Sequence, residues 1–84
     1  MKPLRLTTHA LEQARERGAS PREIETAVRE GDREPAMRGR LLCRFNFPFG
    51  SYWSGSYYAI KQVASVIKEE AEEIVVITVY TFSF

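Results

Sequence analysis

The sequence predicts a two-layer α+β fold, in which an N-terminal helical hairpin packs on a three- to four-stranded antiparallel sheet. Three observations lead to this expectation. Apolar residues recur at helical spacing up to Gly31, the period changes to two from Met37 onwards, and an acidic segment separates two apolar strands near the C terminus. The element order is therefore α-α-β-β-β, which places both helices on one face of the sheet. A chain of 84 residues is expected to form a single domain over residues 1–84.

Capping signals mark both predicted helices. The first helix, residues 9–17, follows Thr8 as its N-cap and ends before a glycine, which suits left-handed backbone. The second helix begins with the strongest local signal in the chain: Ser20, then a proline, then Glu23, which together predict a capping box. This helix is expected to end at about Glu30.

The second half of the chain predicts three strands. Residues 3–6 can form an extended lead-in, and residues 48–56, rich in aromatic residues, glycine and serine, are expected to form a loop. The last strand is apolar on both faces, which indicates either a central position in the sheet or an outer face that a partner covers. The predicted strands span residues 37–47, 57–68 and 74–82.

Composition excludes several classes of protein. The single cysteine, Cys43, excludes a disulfide scaffold and fits a reducing compartment. No apolar stretch is long enough to cross a membrane, so we expect a cytoplasmic protein with no membrane partner. One Cys and one His cannot build a closed zinc site, and the chain has no P-loop or dinucleotide fingerprint, so no metal and no cofactor are expected.

Charge is unevenly distributed along the chain. Residues 1–44 carry ten Lys and Arg against seven Asp and Glu, whereas residues 45–84 carry two against four. Nine of the twelve cations are arginine, the residue suited to bidentate contacts with phosphate. This bias is a mild indication of a phosphate-bearing partner.

The polar face of the first predicted strand is the strongest candidate site. Arg38, Arg40 and Arg44 alternate along it, at a spacing of about 6.6–7 Å for successive same-face residues. Lys61 and Gln62 lie on the next strand, and nearby aromatic residues offer surfaces on which bases can stack. These aromatic residues are Trp53, Tyr57 and Tyr58. The alternative is a solvated polar face whose arginines pair with glutamates.

Two further residues are candidates for proton transfer. His9 is the single histidine of the chain, and a neutral imidazole at the start of a helix can accept a proton. Gln13 and Arg17 follow it at helical spacing. Tyr80, in the last strand, is either a core residue or a catalytic one. The structural alternative for His9 is a packing or capping role.

These residues together resemble a known family. The chain is similar to the domain of unknown function 4258 family, and the similarity covers nearly its whole length. Ala19 departs from the aliphatic residue usual after the Arg-Gly pair, which concerns packing more than chemistry. The matching motifs are His9-Ala10, Arg17-Gly18, Ser20, Ile24, Gly31, Arg44-Phe45-Asn46-Phe47-Pro48-Phe49, Trp53, Gly55, Tyr57-Tyr58-Ala59, Lys61-Gln62-Val63 and Val79.

The resemblance implies a distant similarity to RelE/ParE-like toxins, which include metal-independent ribonucleases. In such enzymes basic and tyrosine side chains on the sheet promote attack of a ribose 2′-hydroxyl on the adjacent phosphate. Transferred to this chain, Arg44, Lys61 and Arg40 stabilise the phosphate, Gln62 orients it, and His9 or Tyr80 moves protons. The arrangement requires Arg44 and Lys61 to share a sheet face, which the strand register decides.

Two functions of different classes follow. The first is a toxin-like ribonuclease, or an inactive relative that binds RNA, whose partners are RNA and an antitoxin protein. The second is a non-catalytic interaction module, which uses the aromatic loop and the last strand to form a homodimer or to bind another protein.

Overall fold

The computed structural model describes residues 2–84. Within them the chain forms two α-helices on one face of a five-stranded mixed sheet, so the α+β class is confirmed. The elements in chain order are β1 (Leu4–Leu6), α1 (Thr8–Arg17), α2 (Pro21–Glu30), β2 (Asp32–Pro35), a 3-10 turn (Met37–Gly39), β3 (Leu41–Trp53), β4 (Ser56–Glu69) and β5 (Ile74–Ser83).

The helix caps agree with the sequence signals except in one position. Thr7, rather than Thr8, is the N-cap of α1, and its Oγ1 accepts a hydrogen bond from the Ala10 backbone at 3.1 Å. The error is one residue because two threonines are adjacent and either side chain can serve. At α2 both bonds of the capping box between Ser20 and Glu23 are present, at 3.1 and 2.9 Å.

The sheet is larger than predicted and is not purely antiparallel. Its strand order is β1-β5-β4-β3-β2, with β1 parallel to β5 and the other neighbours antiparallel. The extended lead-in expected at residues 3–6 contains β1, but its parallel pairing with β5 was not predicted, and β2 was missed. Strand β1 has three residues and β2 is exposed along its whole length, so neither shows the alternation that identifies a strand.

The chain before β3 corrects the predicted start of that strand. Met37–Gly39 form a 3-10 turn in which Arg38 and Gly39 have φ of 62° and 70°. Because this left-handed backbone turns the chain from β2 into β3, the strand begins only at Leu41. Of the predicted row of three arginines, Arg44 alone lies on the strand.

The predicted aromatic loop at residues 48–56 is instead the end of a long hairpin. Strand β3 continues to Trp53 and pairs with β4 on both sides of a bulge between Pro48 and Ser51. The strands are joined by Ser54 and Gly55, both with positive φ, the conformation of a two-residue hairpin turn. The aromatic residues therefore lie on a sheet surface.

Strand register divides the sheet into two faces. Residues directly opposite each other share a face, and Phe45–Val63 and Phe47–Lys61 are such pairs on the side that the helices cover. On this covered face, a hydrophobic cluster of buried side chains joins both helices to the sheet. Its fully buried members include Ile24, Val28, Cys43, Val63, Ile67, Val76 and Val79. The opposite, open face carries Arg44, Asn46 and Gln62.

Candidate functional site

A cleft of about 250 Å³ opens where the hairpin β3–β4 approaches the turn between the two helices. The approach is closest at Gly18, where a Cβ atom would lie 3.0 Å from Cη2 of Trp53 and where φ is +74°. Only glycine combines this backbone with an aromatic ring lying directly over it. The cleft is lined by Arg17, Gly18, Phe49, Trp53, Lys61, Thr81 and Ser83.

Lys61 links the hairpin to the helical turn at the floor of this cleft. Its Nζ donates to the carbonyl oxygen of Gly18 and, at 2.9 Å, to Oε1 of Glu23. The Lys61 side chain is only 14% exposed. The glutamate neutralises its charge, so Lys61 mainly positions the turn that forms one wall of the cleft.

Glu23 is the acidic partner in this arrangement and also belongs to the capping box of α2. Partial burial by itself raises the pKa of Glu23. The hydrogen bond from the Ser20 backbone and the hydrogen bond and charge of Lys61 outweigh that effect, so the pKa lies below its ordinary value of 4.5.

This shift predicts an acid-sensitive link. Because the folded protein holds the Glu23 proton less tightly than the unfolded chain does, its contribution to stability is present above about pH 4.5 and lost as the pH falls through the lower folded value. We expect the free energy of unfolding, measured in urea, to fall less between about pH 6 and about pH 3 in Glu23→Gln and in Lys61→Met than in the wild type. A wild-type slope in both variants would contradict the assignment.

Arg17 forms the opposite wall of the cleft and is the cation best placed to bind an anion. Its Nη1 donates to the carbonyl oxygen of Val79 at 2.9 Å and to Oε1 of Gln13 at 3.3 Å. Its Cζ lies 5.0 Å from the ring centroid of Tyr80, on the other side of the β5 edge. Within residues 2–84, Arg17 makes no ion pair and its Nε and Nη2 donate no hydrogen bond. Two donors in fork geometry thus stay available.

His9 lies on the same helix as Arg17 and is exposed. Eight residues separate them, which corresponds to about 12 Å along the axis, and Gln13 lies between them. At the other end of α1, the Thr81 hydroxyl donates to the Arg17 carbonyl at 3.0 Å and fixes the helix against β5. The structure therefore brings Arg17 and Tyr80 together at one edge of β5, with His9 about two helical turns away on α1.

Arg44 and Lys61 do not share a sheet face, so the predicted site built on both cations does not form. Arg44 lies opposite Ala64 on the open face, while Lys61 lies opposite Phe47 on the covered face. Arg44 Nη2 donates to Glu34 at 3.0 Å and its Nη1 to Gln62 at 3.3 Å. Arg44 and Gln62, two of the predicted site residues, thus meet in a polar network with Glu34 that lies away from the cleft.

The remaining predicted residues are distributed among three places. Trp53 lies in the cleft. Tyr58 pairs with Ser51 and is three residues from Lys61 on β4, so its side chain faces the opposite, open side. Arg38 and Arg40 lie before β3, at the end of the sheet away from the hairpin tip. Six strand residues separate that end from the cleft, or roughly 20 Å.

Sequence reasoning missed four residues of the cleft: Arg17, Phe49, Thr81 and Ser83. Arg17 was noted at the end of α1, at helical spacing from His9 and in the Arg17-Gly18 motif of the family, but it was not assigned to the site. The other three could not be found because they meet Arg17 only through the register of β3, β4 and β5.

The open face carries an apolar patch near the C terminus. Tyr80 and Phe82 lie opposite Ala64 and Gln62, and their rings stack at 6.4 Å. Ile60, Tyr80, Phe82 and Phe84 are 38–63% exposed. Strand β5 has a neighbour on each side only as far as Val76, where its pairing with β1 ends. The apolar residues of its first half are buried there, whereas Tyr80 and Phe82 in its second half are exposed.

Comparison with known proteins identifies the family. A family model described as domain of unknown function (DUF4258) matches residues 6–81. The chain belongs to the DUF4258 family. The match confirms the resemblance drawn from the sequence motifs. The matched range contains all residues that line the cleft except Ser83. No curated protein and no solved structure matched this chain. The similarity to RelE/ParE-like toxins stays a prediction.

Among residues 2–84, no helix is both long enough and apolar enough to cross a membrane. No three His, Cys, Asp or Glu side chains in the same part of the chain are grouped so that they could hold a metal ion.

Proposed function

We propose that this DUF4258 protein is a toxin-like ribonuclease that cleaves RNA without a metal ion. The observation that carries the proposal is the free Nε–Nη2 edge of Arg17, held beside a cleft with aromatic walls. A planar fork of donors matches two phosphate oxygens, and an aromatic ring is a surface on which any base can stack.

The cleft supports binding of one nucleotide. Its volume of about 250 Å³ lies just below the range typical of small-molecule pockets, so it suits a base rather than a larger group. In the proposal the base stacks against Trp53 or Phe49, and the hydroxyls of Thr81 and Ser83 contact its polar edge. The phosphate beside that base binds Arg17 at the mouth of the cleft.

The proposed chemistry is an internal transfer at the phosphate. The ribose 2′-oxygen forms a bond to phosphorus while the bond from phosphorus to the 5′-oxygen breaks. One proton leaves the 2′-hydroxyl and one is delivered to the departing 5′-oxygen, so the products are a 2′,3′-cyclic phosphate and a 5′-hydroxyl. Tyr80, whose ring centroid lies 5.0 Å from the Arg17 Cζ, supplies the second proton, water accepts the first, and Arg17 stabilises the extra negative charge on phosphorus. The predicted role of His9 is not kept, because His9 lies about 12 Å along α1 from Arg17 and is too distant to reach the same phosphate.

The decisive test is the chemistry of the RNA ends. We expect purified protein to cut RNA in the presence of EDTA and to leave 5′-hydroxyl ends, and Tyr80→Phe to slow the reaction about 100-fold or more. Glu12→Gln, a substitution at an exposed position on α1, controls for contaminating nucleases and is expected to keep full activity. The same variants are induced in a bacterial host and new RNA 5′ ends are mapped, because cleavage can require a ribosome. Intact RNA in both assays would contradict the proposal.

A second candidate function rests on the apolar patch of the open face. Exposed Ile60, Phe82 and Phe84 are suited to bury against a protein, either an antitoxin or a second copy of the chain. A protein that cuts no RNA but forms a stable dimer through this patch would have this function instead.

A further inference from the structure

We infer that the substrate is single-stranded RNA and that bases outside the cleft stack on a second subsite, the tyrosine pair Tyr52–Tyr57. The inference deepens the proposed function and rests on it. The two tyrosines lie opposite each other near the end of the hairpin β3–β4. Their rings meet edge to face with centroids 5.5 Å apart, and the residues are 72% and 58% exposed. Ring surface on each is therefore open to a ligand.

The tyrosine pair lies further along the hairpin, on the side of β4 that carries Lys61. Tyr57 and Lys61 are four residues apart on β4, so their side chains emerge from the same face of the strand. Phe49 lies on this side as well, because the Lys61 Nζ is 6.0 Å from the centroid of its ring. A strand of RNA that leaves the cleft away from the helices thus meets Phe49 and then the tyrosine pair.

The spacing fits several nucleotides. Four strand residues span about 13 Å, which corresponds to roughly four nucleotides stacked at 3.4 Å each, and to fewer when the strand is extended. An oligonucleotide of six nucleotides can reach both subsites, whereas a dinucleotide in the cleft cannot.

The charge of the hairpin favours unpaired bases over a duplex. Residues 45–60 contain no Asp, Glu, Lys or Arg. The surface therefore neither attracts nor repels the phosphates, and binding to it comes from stacking. Because the bases of a duplex already stack on one another, only a single strand can offer them to the tyrosines.

The test compares a short and a long ligand on two tyrosine variants. The probes are a dinucleotide and a hexanucleotide of 2′-O-methyl uridine, which cannot be cleaved. Trp53, the single tryptophan of the chain, reports occupancy of the cleft through its fluorescence. We expect Tyr52→Ala/Tyr57→Ala to bind the hexanucleotide about tenfold more weakly than the wild type, and the dinucleotide equally well within about twofold. Tyr52→Phe/Tyr57→Phe, which keeps both rings, is expected to bind both probes like the wild type.

The outcomes separate the two proposals. If the alanine variant binds the hexanucleotide as tightly as the wild type, with Trp53 still quenched, the second subsite is wrong and the cleft stands. If neither probe binds or quenches Trp53, both proposals are wrong. A wild-type dimer that the alanine variant converts to monomer, with RNA affinity unchanged, would assign the tyrosines to a protein interface and overturn the inference.

Discussion

Replacing Arg17 by alanine is expected to slow RNA cleavage by about 100- to 1,000-fold, the loss typical when one preorganised donor to a developing anion is removed. The reason is that Arg17 alone among the groups lining the cleft presents a charged donor edge that no acidic side chain within residues 2–84 neutralises. The measurement is the single-turnover rate on a labelled RNA. A positively charged but point-like Lys at this position should restore only part of the rate.

Arg15→Ala is the matched control for this prediction. Arg15 is exposed, lies two residues away on α1 and makes no ion pair in the part of the chain described by the structure. Both variants remove one positive charge from the same helix, so any general electrostatic effect is equal in the two. Because Arg17 also bonds to Val79, the unfolding midpoint of each variant is measured. Equal cleavage rates for the two variants, with both proteins folded, would refute the role of Arg17.

The substitution with the largest expected effect on stability is Gly31→Ala. Here the end of α2 lies against the backbone of β3, and a Cβ atom would be 2.3 Å from the Arg44 carbonyl oxygen and 2.4 Å from that of Ala27. Both are backbone atoms, so relief requires the helix or the strand to move. We expect a loss of about 3 kcal/mol or more in the free energy of unfolding, at the upper end of values for overpacking. A domain of this size has about 4–13 kcal/mol of stability in total, so this loss is a large part of it.

Gly39→Ala separates this steric effect from the general consequence of adding a methyl group at a glycine. No atom lies within 4 Å of a Cβ built on Gly39, and its φ of +70° gives the only strain. We expect a cost of about 1 kcal/mol there. Urea denaturation monitored by circular dichroism measures both variants. Equal, small losses would show that α2 and β3 can separate cheaply, contrary to the packing described above.

Local signals account for what the sequence predicted well. The capping box at Ser20 and Glu23 involves residues three apart, so it forms wherever that helix forms. Strands β4 and β5 are long and regularly patterned, and their observed bounds differ from the predicted ones by about one residue. The parallel pairing of β1 with β5 was not predicted because it joins segments 70 residues apart, and β2 was missed because its four exposed residues show no alternation.

The candidate site illustrates the opposite situation. Arg44 and Lys61 were grouped because both are cations on neighbouring predicted strands, but a shift of one residue in register moves a side chain to the other face. The bulge in β3 and the left-handed turn at Arg38 and Gly39 set where that strand begins and how it pairs. Neither feature has a signal strong enough to be recognised in the alternation of side chains.

The α+β class, the two capped helices and the family could be read from the sequence, because they depend on local spacing and on residue type. The tertiary structure set which residues form the cleft, since the sequence pointed to Trp53 and Lys61 but not to Arg17. It placed Lys61 against Glu23 and Gly18, separated it from Arg44, and brought Arg17 to Tyr80 and to the aromatic hairpin. The physical reason is that side chains from α1, β3, β4 and β5 converge through backbone pairing between residues far apart in the chain.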